Sequence, residues 1–244
     1  CPSKLGVMDP VDVERLVLVG SLHTPGTSLL CVENTHNRSG GQVVPLDVLG
    51  AYREIANRRG LKLHLDGARL FNAATWQGVP VSTLAAPFDS VSICLSKGLG
   101  APVGSVLVGS KDFIEHARVW RKRLGGGMRQ AGLLAACGLV ALRVQSQKLG
   151  EDHRRARRLA EGLQGLPGIT VDLAHQCTNF VMVQTQGLAS DYCLALTAEG
   201  VSALPAAPHR VRLVTHSDIS DDDVERAIEA FRIVANERAE RQPS

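Results

Sequence analysis

The sequence predicts an α/β fold in which a mostly parallel sheet is flanked by helices and followed by a small C-terminal α+β domain. In the first half, short runs rich in β-branched residues alternate with longer segments of helical pattern. The pattern changes after Gly125-Gly126-Gly127, where Ala- and Leu-rich segments precede several short strands. We therefore expect two domains, residues 1–140 and residues 141–244.

Individual elements follow from the same patterns. Asp9 as N-cap and Pro10 at the first helical position predict an early helix. Strands are predicted at residues 28–33, 61–65, 90–95, 103–108, 169–173, 179–184 and 210–215. Helices are predicted at residues 46–59, 111–124, 130–149, 151–164, 189–199 and 221–238.

Composition and charge argue against several classes of protein. A net charge of +3 is too small to indicate a nucleic-acid partner. Two basic runs occur, at residues 121–123 and 154–158, and the second is typical of a solvated helix face. The nine aromatic residues do not interleave with these runs, so a stacking platform for single strands is not expected. No stretch approaches the roughly 20 apolar residues that span a bilayer. We expect a small-molecule partner, with neither nucleic acid nor membrane.

The six cysteines are scattered and lack the spacing of a metal site. Cys31, Cys94 and Cys137 lie inside apolar runs, so we expect buried thiols. This usage favours a reducing compartment, either the cytosol or the mitochondrial matrix.

Lys97 carries the strongest chemical signal. It follows the apolar run at residues 90–95 and precedes a glycine-rich turn, so we expect a poorly solvated amine at the end of a buried strand. Such an amine is a nucleophile that forms a Schiff base with a carbonyl. An ordinary exposed lysine beside a turn is the alternative.

Asp66 and Arg69 end a second predicted strand. Ligands of open α/β sheets gather at the carboxyl ends of strands, so Asp66 and Lys97 should share a site. A lysine that holds an aldehyde and a carboxylate that protonates a pyridine nitrogen are what pyridoxal 5′-phosphate (PLP) requires. Ser96 would donate to its phosphate, and Arg69 would contact the ring hydroxyl or a substrate carboxylate. The alternatives are a turn residue for Asp66 and a surface ion pair for Arg69.

These motifs, taken in order, resemble the L-threonine aldolases, which are PLP enzymes with the aspartate aminotransferase type of fold. The matching segments are Glu33–Asn37, His64–Ala73, Ser92–Ser105, Trp120–Lys122 with Gly125–Gln130, and Val211–His216. The resemblance extends over most of the chain. It implies retro-aldol cleavage of L-threonine or L-allo-threonine to glycine and acetaldehyde, in a dimer or tetramer.

The resemblance also implies roles for single residues. Lys97 is the Schiff-base lysine and Asp66 pairs with the pyridine nitrogen. Arg212 binds the amino-acid carboxylate, for which its planar fork of donors is suited, or it is an ordinary arginine at a strand edge. Lys122 and Arg129 supply positive charge to the phosphate, in the same or a neighbouring subunit, or are a solvated helix end.

Two histidines are alternatives for the base that takes the proton of the β-hydroxyl. His23 and His36 both lie near a position that the family uses beside this hydroxyl. The spacing to the Glu33–Asn37 motif favours His23, although its local sequence is less decisive. A satisfied structural histidine is the alternative for each.

The chain departs from the family at its beginning, where Cys1 stands in place of methionine. Family members continue further upstream with a phosphate loop and a group stacked on the pyridine ring, and neither is found here. We therefore expect a fragment. The alternatives to the aldolase are an aminotransferase or β-eliminating lyase of the same fold, or a truncated non-catalytic chain.

Overall fold

The computed structural model describes residues 1–240, and the last four residues of the predicted C-terminal domain lie outside this range. The chain divides into two compact units. The N-terminal unit comprises residues 1–36 and 43–147, and the C-terminal unit comprises residues 37–42 and the chain from Lys148 onward. The predicted domain division at residue 140 stays a prediction, because compactness alone does not show that a segment folds independently.

The N-terminal unit contains a four-stranded sheet in the order β3 (Leu29–Glu33), β4 (Lys62–Asp66), β5 (Ser90–Cys94) and β6 (Ser105–Gly109). Strands β3, β4 and β5 are parallel, and β6 is antiparallel to β5. This arrangement confirms the predicted α/β fold with a mostly parallel sheet. The elements in chain order are β1 (Ser3–Lys4), β2 (Val7–Met8), α1 (Pro10–Leu16), β3 (Leu29–Glu33), α2 (Leu46–Arg59), β4 (Lys62–Asp66), α3 (Leu70–Gln77), α4 (Val81–Ala85), β5 (Ser90–Cys94), β6 (Ser105–Gly109), α5 (Lys111–Arg123) and α6 (Gly132–Arg143).

One face of this sheet forms a hydrophobic core. Leu63 and Leu65 of β4 are fully buried, and they pack with residues of α2 such as Leu49 and Tyr52. Side chains alternate between the two faces of a strand, so the even-numbered residues of β4, including Asp66, lie on the other face. Asp9 caps α1 as predicted, accepting a hydrogen bond from the Val11 N–H at 2.8 Å.

Asp89 joins α2 to β4 and gives the N-terminal unit a pH-dependent stability. Burial alone would raise the pKa of Asp89. However, hydrogen bonds from Leu63 N–H, Arg53 and Lys62, at 2.8, 2.9 and 3.3 Å, outweigh it and lower the pKa to about 2. A depressed carboxyl pKa stabilises the fold above its ordinary value of 3.8, and this contribution disappears as the pH falls towards 2.

We expect Asp89→Asn to lower the free energy of unfolding at pH 6 by on the order of 2 kcal/mol. Between pH 5 and pH 2.5 the variant should lose less stability than the parent protein, because the titrating carboxylate is gone. Urea unfolding at several pH values measures both effects. Asp47→Asn, which changes an exposed carboxylate on α2, is the control. Parallel pH profiles for Asp89→Asn and the parent would contradict this role of Asp89.

The C-terminal unit is an α+β arrangement. Its sheet has the order β7 (Ile169–Val171), β8 (Phe180–Thr185), β10 (Arg210–Val214) and β9 (Leu204–Ala207), and each neighbouring pair is antiparallel. The elements are α7 (Leu149–Gly162), β7 (Ile169–Val171), β8 (Phe180–Thr185), α8 (Ala189–Ala198), β9 (Leu204–Ala207), β10 (Arg210–Val214) and α9 (Asp221–Glu240). Buried Val181, Val183, Leu196 and Phe231 contribute to one core. Arg154, Arg155 and Arg158 of the basic run pair with acidic residues of α9, as in Arg158 with Glu225 at 2.7 Å. Arg157 pairs with Glu161 of α7 at 2.7 Å.

Several local predictions were wrong. The helix predicted at residues 130–149 ends at Arg143, and a short 3₁₀ turn, Gln145–Gln147, separates it from α7. Helices α3 and α4 and strand β9 were not predicted, because each is too short to show a clear periodicity. No helix among residues 1–240 is long and apolar enough to cross a membrane.

The cysteine prediction also needs correction. Cys31 is exposed, and Cys94 and Cys137 are only partly buried, because an apolar run does not reveal which face of an element packs inward. The buried cysteines are Cys177 and Cys193. All six are free thiols.

Candidate active site

The parallel strands β3, β4 and β5 end at one edge of the N-terminal sheet. Their register aligns Glu33, Asp66 and Ser92 in one row. The Asn34 N–H donates to the carbonyl oxygen of Asp66 at 3.0 Å, and the Gly67 N–H donates to the carbonyl oxygen of Ser92 at 2.8 Å. The loops that follow the three strands therefore begin side by side.

Asp66 is exposed at this edge. Its Oδ1 accepts a hydrogen bond from the Ala68 N–H at 3.1 Å, so the aspartate forms a local turn while its other oxygen is available to a ligand. A Cβ on Gly67 would lie 3.0 Å from the carbonyl oxygen of Ser92. Glycine therefore allows the chain after Asp66 to pass close to β5.

Lys97 lies in the loop after β5. The loop is closed by hydrogen bonds from Leu95 N–H to the carbonyl oxygen of Gly104 and from Gly100 N–H to the carbonyl oxygen of Lys97, at 2.9 and 2.8 Å. Gly100 and Gly104 have φ values of +70° and +110°, which favour glycine. Lys97 is exposed, which contradicts the expected poor solvation, because it stands three residues beyond the end of β5 at Cys94.

Ser96 and Arg69 accompany Lys97 and Asp66 at the strand ends. Ser96 is exposed, and its Oγ lies 3.4 Å from the Sγ of Cys94. Arg69 is partly buried and immediately precedes α3. It lines a small cavity together with Cys94 and Gly98 of the β5 segment. The structure thus brings four of the predicted residues to the ends of two neighbouring strands.

The two candidate histidines lie in the loops that precede and follow β3. His36 follows β3 at the edge of Asp66, with its Nε2 3.6 Å from Glu33 Oε2. Its ring packs on Gly6, where a Cβ would approach the ring Cγ to 2.3 Å. His23 is exposed in the loop that precedes β3, where its N–H donates to Ser21 Oγ at 3.3 Å. The five residues of β3 extend over roughly 16 Å and separate the ends of these two loops.

Lys122 and Arg129 lie away from the strand ends in sequence. Lys122 is in the last turn of α5, with its side chain against Gly127, and Arg129 is exposed before α6. Within residues 1–240 no hydrogen bond or ion pair joins either residue to Lys97 or Asp66. No cluster of three or more potential metal ligands occurs in the described part of the chain.

Arg212 belongs to the C-terminal unit, on β10. Its Nη1 donates to Asn37 Oδ1 at 3.1 Å, and its guanidinium carbon lies 5.8 Å from the centre of the Phe180 ring. A cavity of about 880 Å³ in this unit is lined by Arg212, Thr215, His216 and Asp223 among others. The predicted residues of the N-terminal unit do not line this cavity. The sequence does not reveal the contact of Arg212 with Asn37, although Asn37 belongs to the Glu33–Asn37 motif.

Residues 1–186 match the sequence profile of a family described as "Beta-eliminating lyase". The chain belongs to this family. The match includes Lys97, Asp66 and Arg69, and it stops before Arg212.

The chain is similar in sequence to proteins named as threonine aldolases. It is 49% identical over 216 residues to a probable low-specificity L-threonine aldolase 2 of Arabidopsis thaliana, with 87% of this chain and 61% of the relative covered. It is 42% identical over 216 residues to the low specificity L-threonine aldolase of Escherichia coli K12, with 88% and 63% covered. The chain therefore spans about 60% of the length of these curated relatives.

The fold of this member of the β-eliminating lyase family is similar to that of solved structures. A Leishmania major threonine aldolase gives a TM-score of 0.81 at 21% identity, with 96% of this chain and 69% of that chain covered. An aspartate aminotransferase of Thermus thermophilus gives a TM-score of 0.66 at 22% identity, with 93% and 63% covered. At these identities the likeness concerns the fold, and it confirms the predicted aspartate aminotransferase type.

Proposed function

We propose that the chain forms part of a PLP-dependent aldolase that cleaves L-threonine or L-allo-threonine to glycine and acetaldehyde. The observation that carries this proposal is the position of Asp66 and Lys97. The carboxylate ends β4, and the amine follows the neighbouring parallel strand β5 at the same edge of the sheet. The names and identities of the curated relatives support the choice of reaction.

The residues at this edge fit PLP. Asn34 Nδ2 and Thr35 Oγ1 are buried and have no hydrogen-bond partner among residues 1–240. Both follow β3 beside Asp66, since the Asn34 N–H donates to the Asp66 carbonyl oxygen. Together with the amine of Lys97 and the carboxylate of Asp66, these polar groups suit a ligand that has an aldehyde, a ring nitrogen and several oxygens.

Each proposed residue has a defined task. When bound, PLP supplies an electron sink for cleavage of the Cα–Cβ bond. Lys97 would hold the cofactor covalently, and Asp66 would keep a proton on the ring nitrogen. Ser96 would donate to the phosphate, and Arg69 to a cofactor or substrate oxygen. These tasks need two charged groups on a rigid scaffold, which adjacent strand ends provide.

Two further tasks involve cationic residues at other positions. Arg212 would bind the substrate carboxylate through paired N–H donors. Lys122 and Arg129 would add positive charge at the phosphate of the same or a second subunit. We propose a dimer or tetramer, located in the cytosol or the mitochondrial matrix, with no nucleic acid and no membrane as partner.

The reaction can be tested directly with the chain and added PLP. Incubation with L-threonine should yield equal amounts of glycine and acetaldehyde, the latter measured through NADH oxidation by alcohol dehydrogenase. Transfer of the amino group to a keto acid would indicate an aminotransferase instead. Release of ammonia and a keto acid would indicate a β-eliminating lyase, and no turnover would support the non-catalytic alternative.

His36 is the base that we propose for the β-hydroxyl proton, because it follows β3 at the same sheet edge as Asp66, with its Nε2 3.6 Å from Glu33 Oε2. We expect His36→Asn to lower kcat for L-threonine by about a hundredfold or more. His23→Asn, the matched control in the loop that precedes β3, should have a much smaller effect. The acetaldehyde assay measures both. A larger loss of kcat for His23→Asn than for His36→Asn would mean that His23 is the base and that a second copy of the chain supplies it.

A further inference from the structure

Asn37 and Arg212 join two segments that are far apart in sequence. The hydrogen bond from Arg212 Nη1 to Asn37 Oδ1 is 3.1 Å long and connects residues 175 positions apart. It links the end of the Glu33–Asn37 motif to the Val211–His216 motif. Both residues belong to the C-terminal unit. The contact therefore gives a physical role to a motif residue that the proposed reaction does not otherwise use.

The surroundings of Arg212 leave its charge available. The Arg212 guanidinium lies over the ring of Phe180, and Phe180 is 1% exposed. Arg212 itself is partly buried. No carboxylate within residues 1–240 forms an ion pair with Arg212. An amide oxygen and an aromatic face hold a guanidinium without neutralising it. A positive charge kept in this way favours an anionic ligand.

The segment that carries Asn37 is fixed to the same sheet as Arg212. The carbonyl oxygen of Gly41 accepts hydrogen bonds from Thr178 Oγ1 at 3.1 Å and from Cys177 Sγ at 3.2 Å. A Cβ on Gly41 would lie 2.5 Å from Phe180 Cδ2, and one on Gly40 would lie 2.6 Å from Met182 Cγ. Only glycine permits this close approach. The segment that contains Asn37 is therefore held against β8 and the residues that precede it.

We infer that Asn37 and Phe180 are positioning residues, which fix the Arg212 guanidinium so that it recognises the α-carboxylate of the substrate. This inference rests on the proposed function, in which Arg212 binds that carboxylate. An arginine has five N–H donors, and one bond to Asn37 leaves enough of them for a bidentate carboxylate. Fixing the side chain before binding reduces the entropy that the ligand must overcome.

The test compares two ligands that differ by the carboxylate. L-Threonine and 1-amino-2-propanol share the amine and the hydroxyl, and only the former has the acid group. Their dissociation constants follow from the absorption change of the PLP-loaded protein. We expect Asn37→Ala to weaken L-threonine binding about tenfold and to leave 1-amino-2-propanol binding unchanged. Asn37→Asp should weaken L-threonine more strongly, because its carboxylate would occupy Arg212.

Further variants distinguish a loss of Arg212 positioning from a general loss of structure. Asn57→Ala removes another asparagine whose Oδ1 accepts from an arginine, Arg53, at 3.5 Å on the exposed face of α2, and it should change neither constant. Phe180→Leu retains an apolar side chain but removes the aromatic face, and it should weaken L-threonine severalfold. In an Arg212→Lys background, Asn37→Ala should have no further effect.

The outcomes distinguish this inference from the proposed function. If Arg212→Lys leaves L-threonine binding unchanged, the proposed carboxylate site is wrong. If Arg212→Lys weakens binding but Asn37→Ala and Phe180→Leu do not, the positioning role is wrong while the carboxylate site stands. Equal weakening of both ligands by Asn37→Ala would also overturn the positioning role, since it would reflect a structural loss.

Discussion

Replacing Lys97 by alanine should leave a protein that no longer forms a borohydride-reducible bond to PLP. The physical reason is that Lys97 alone places an amine in the loop after β5, between the hydrogen-bonded residues Leu95 and Gly100. Because Lys97 is exposed and outside the strand, its removal should not alter the free energy of unfolding. The expected loss is therefore chemical, and cleavage of L-threonine should fall to background.

The measurement is reduction with borohydride in the presence of PLP, followed by peptide mapping. The parent protein should carry one label, on Lys97. Lys148→Ala, which removes another exposed lysine, should keep it. If Lys97→Ala retains a stoichiometric label after reduction, the assignment of Lys97 is wrong and the labelled peptide will show which lysine serves instead.

Asp66→Asn should keep the covalent bond to PLP but lower the rate of L-threonine cleavage by on the order of 10²–10³-fold. Asparagine retains an oxygen that accepts the Ala68 N–H, so the turn after β4 should persist. It lacks the negative charge that would hold a proton on the ring nitrogen. The variant thus separates the electrostatic role of Asp66 from its role in the turn.

Labelling and turnover are measured on the same sample of Asp66→Asn, and thermal unfolding shows whether the fold is kept. Asp47→Asn, on the exposed first turn of α2, is the control for loss of a carboxylate. Turnover within about twofold of the parent would contradict the ring-nitrogen role. Loss of both labelling and thermal stability would instead show that Asp66 mainly supports the turn.

Sequence patterns predicted the elements whose periodicity is long or whose ends have strong signals. Helix α2 was predicted at residues 46–59 and begins and ends there, since Gly60 adopts a φ of +66° at its end. Strand β5 was predicted at residues 90–95 and covers Ser90–Cys94. The division of the helix predicted at residues 130–149 had no comparable signal, because residues 144–147 contain neither glycine nor proline.

The candidate site was predictable where reactive side chains lie at the ends of predicted strands. Asp66 ends one short apolar strand and Lys97 follows another, and the sheet order then places them at one edge. The exposure of Lys97 was not predictable, because sequence does not reveal how far a loop extends beyond its strand. The contact of Asn37 with Arg212 was equally hidden, since no periodicity connects two polar residues 175 positions apart.

The assignment of residues 37–42 to the C-terminal unit has a consequence for recombination between homologues. The chain passes from one unit to the other at three places, after residues 36, 42 and 147. A chimaera joined only at residue 147 would pair the Gly40-Gly41 segment of one parent with the Phe180 and Met182 of another. Such hybrids should fold only when both parents carry compatible residues at these contacts. Exchange of a whole unit therefore requires joints at all three places.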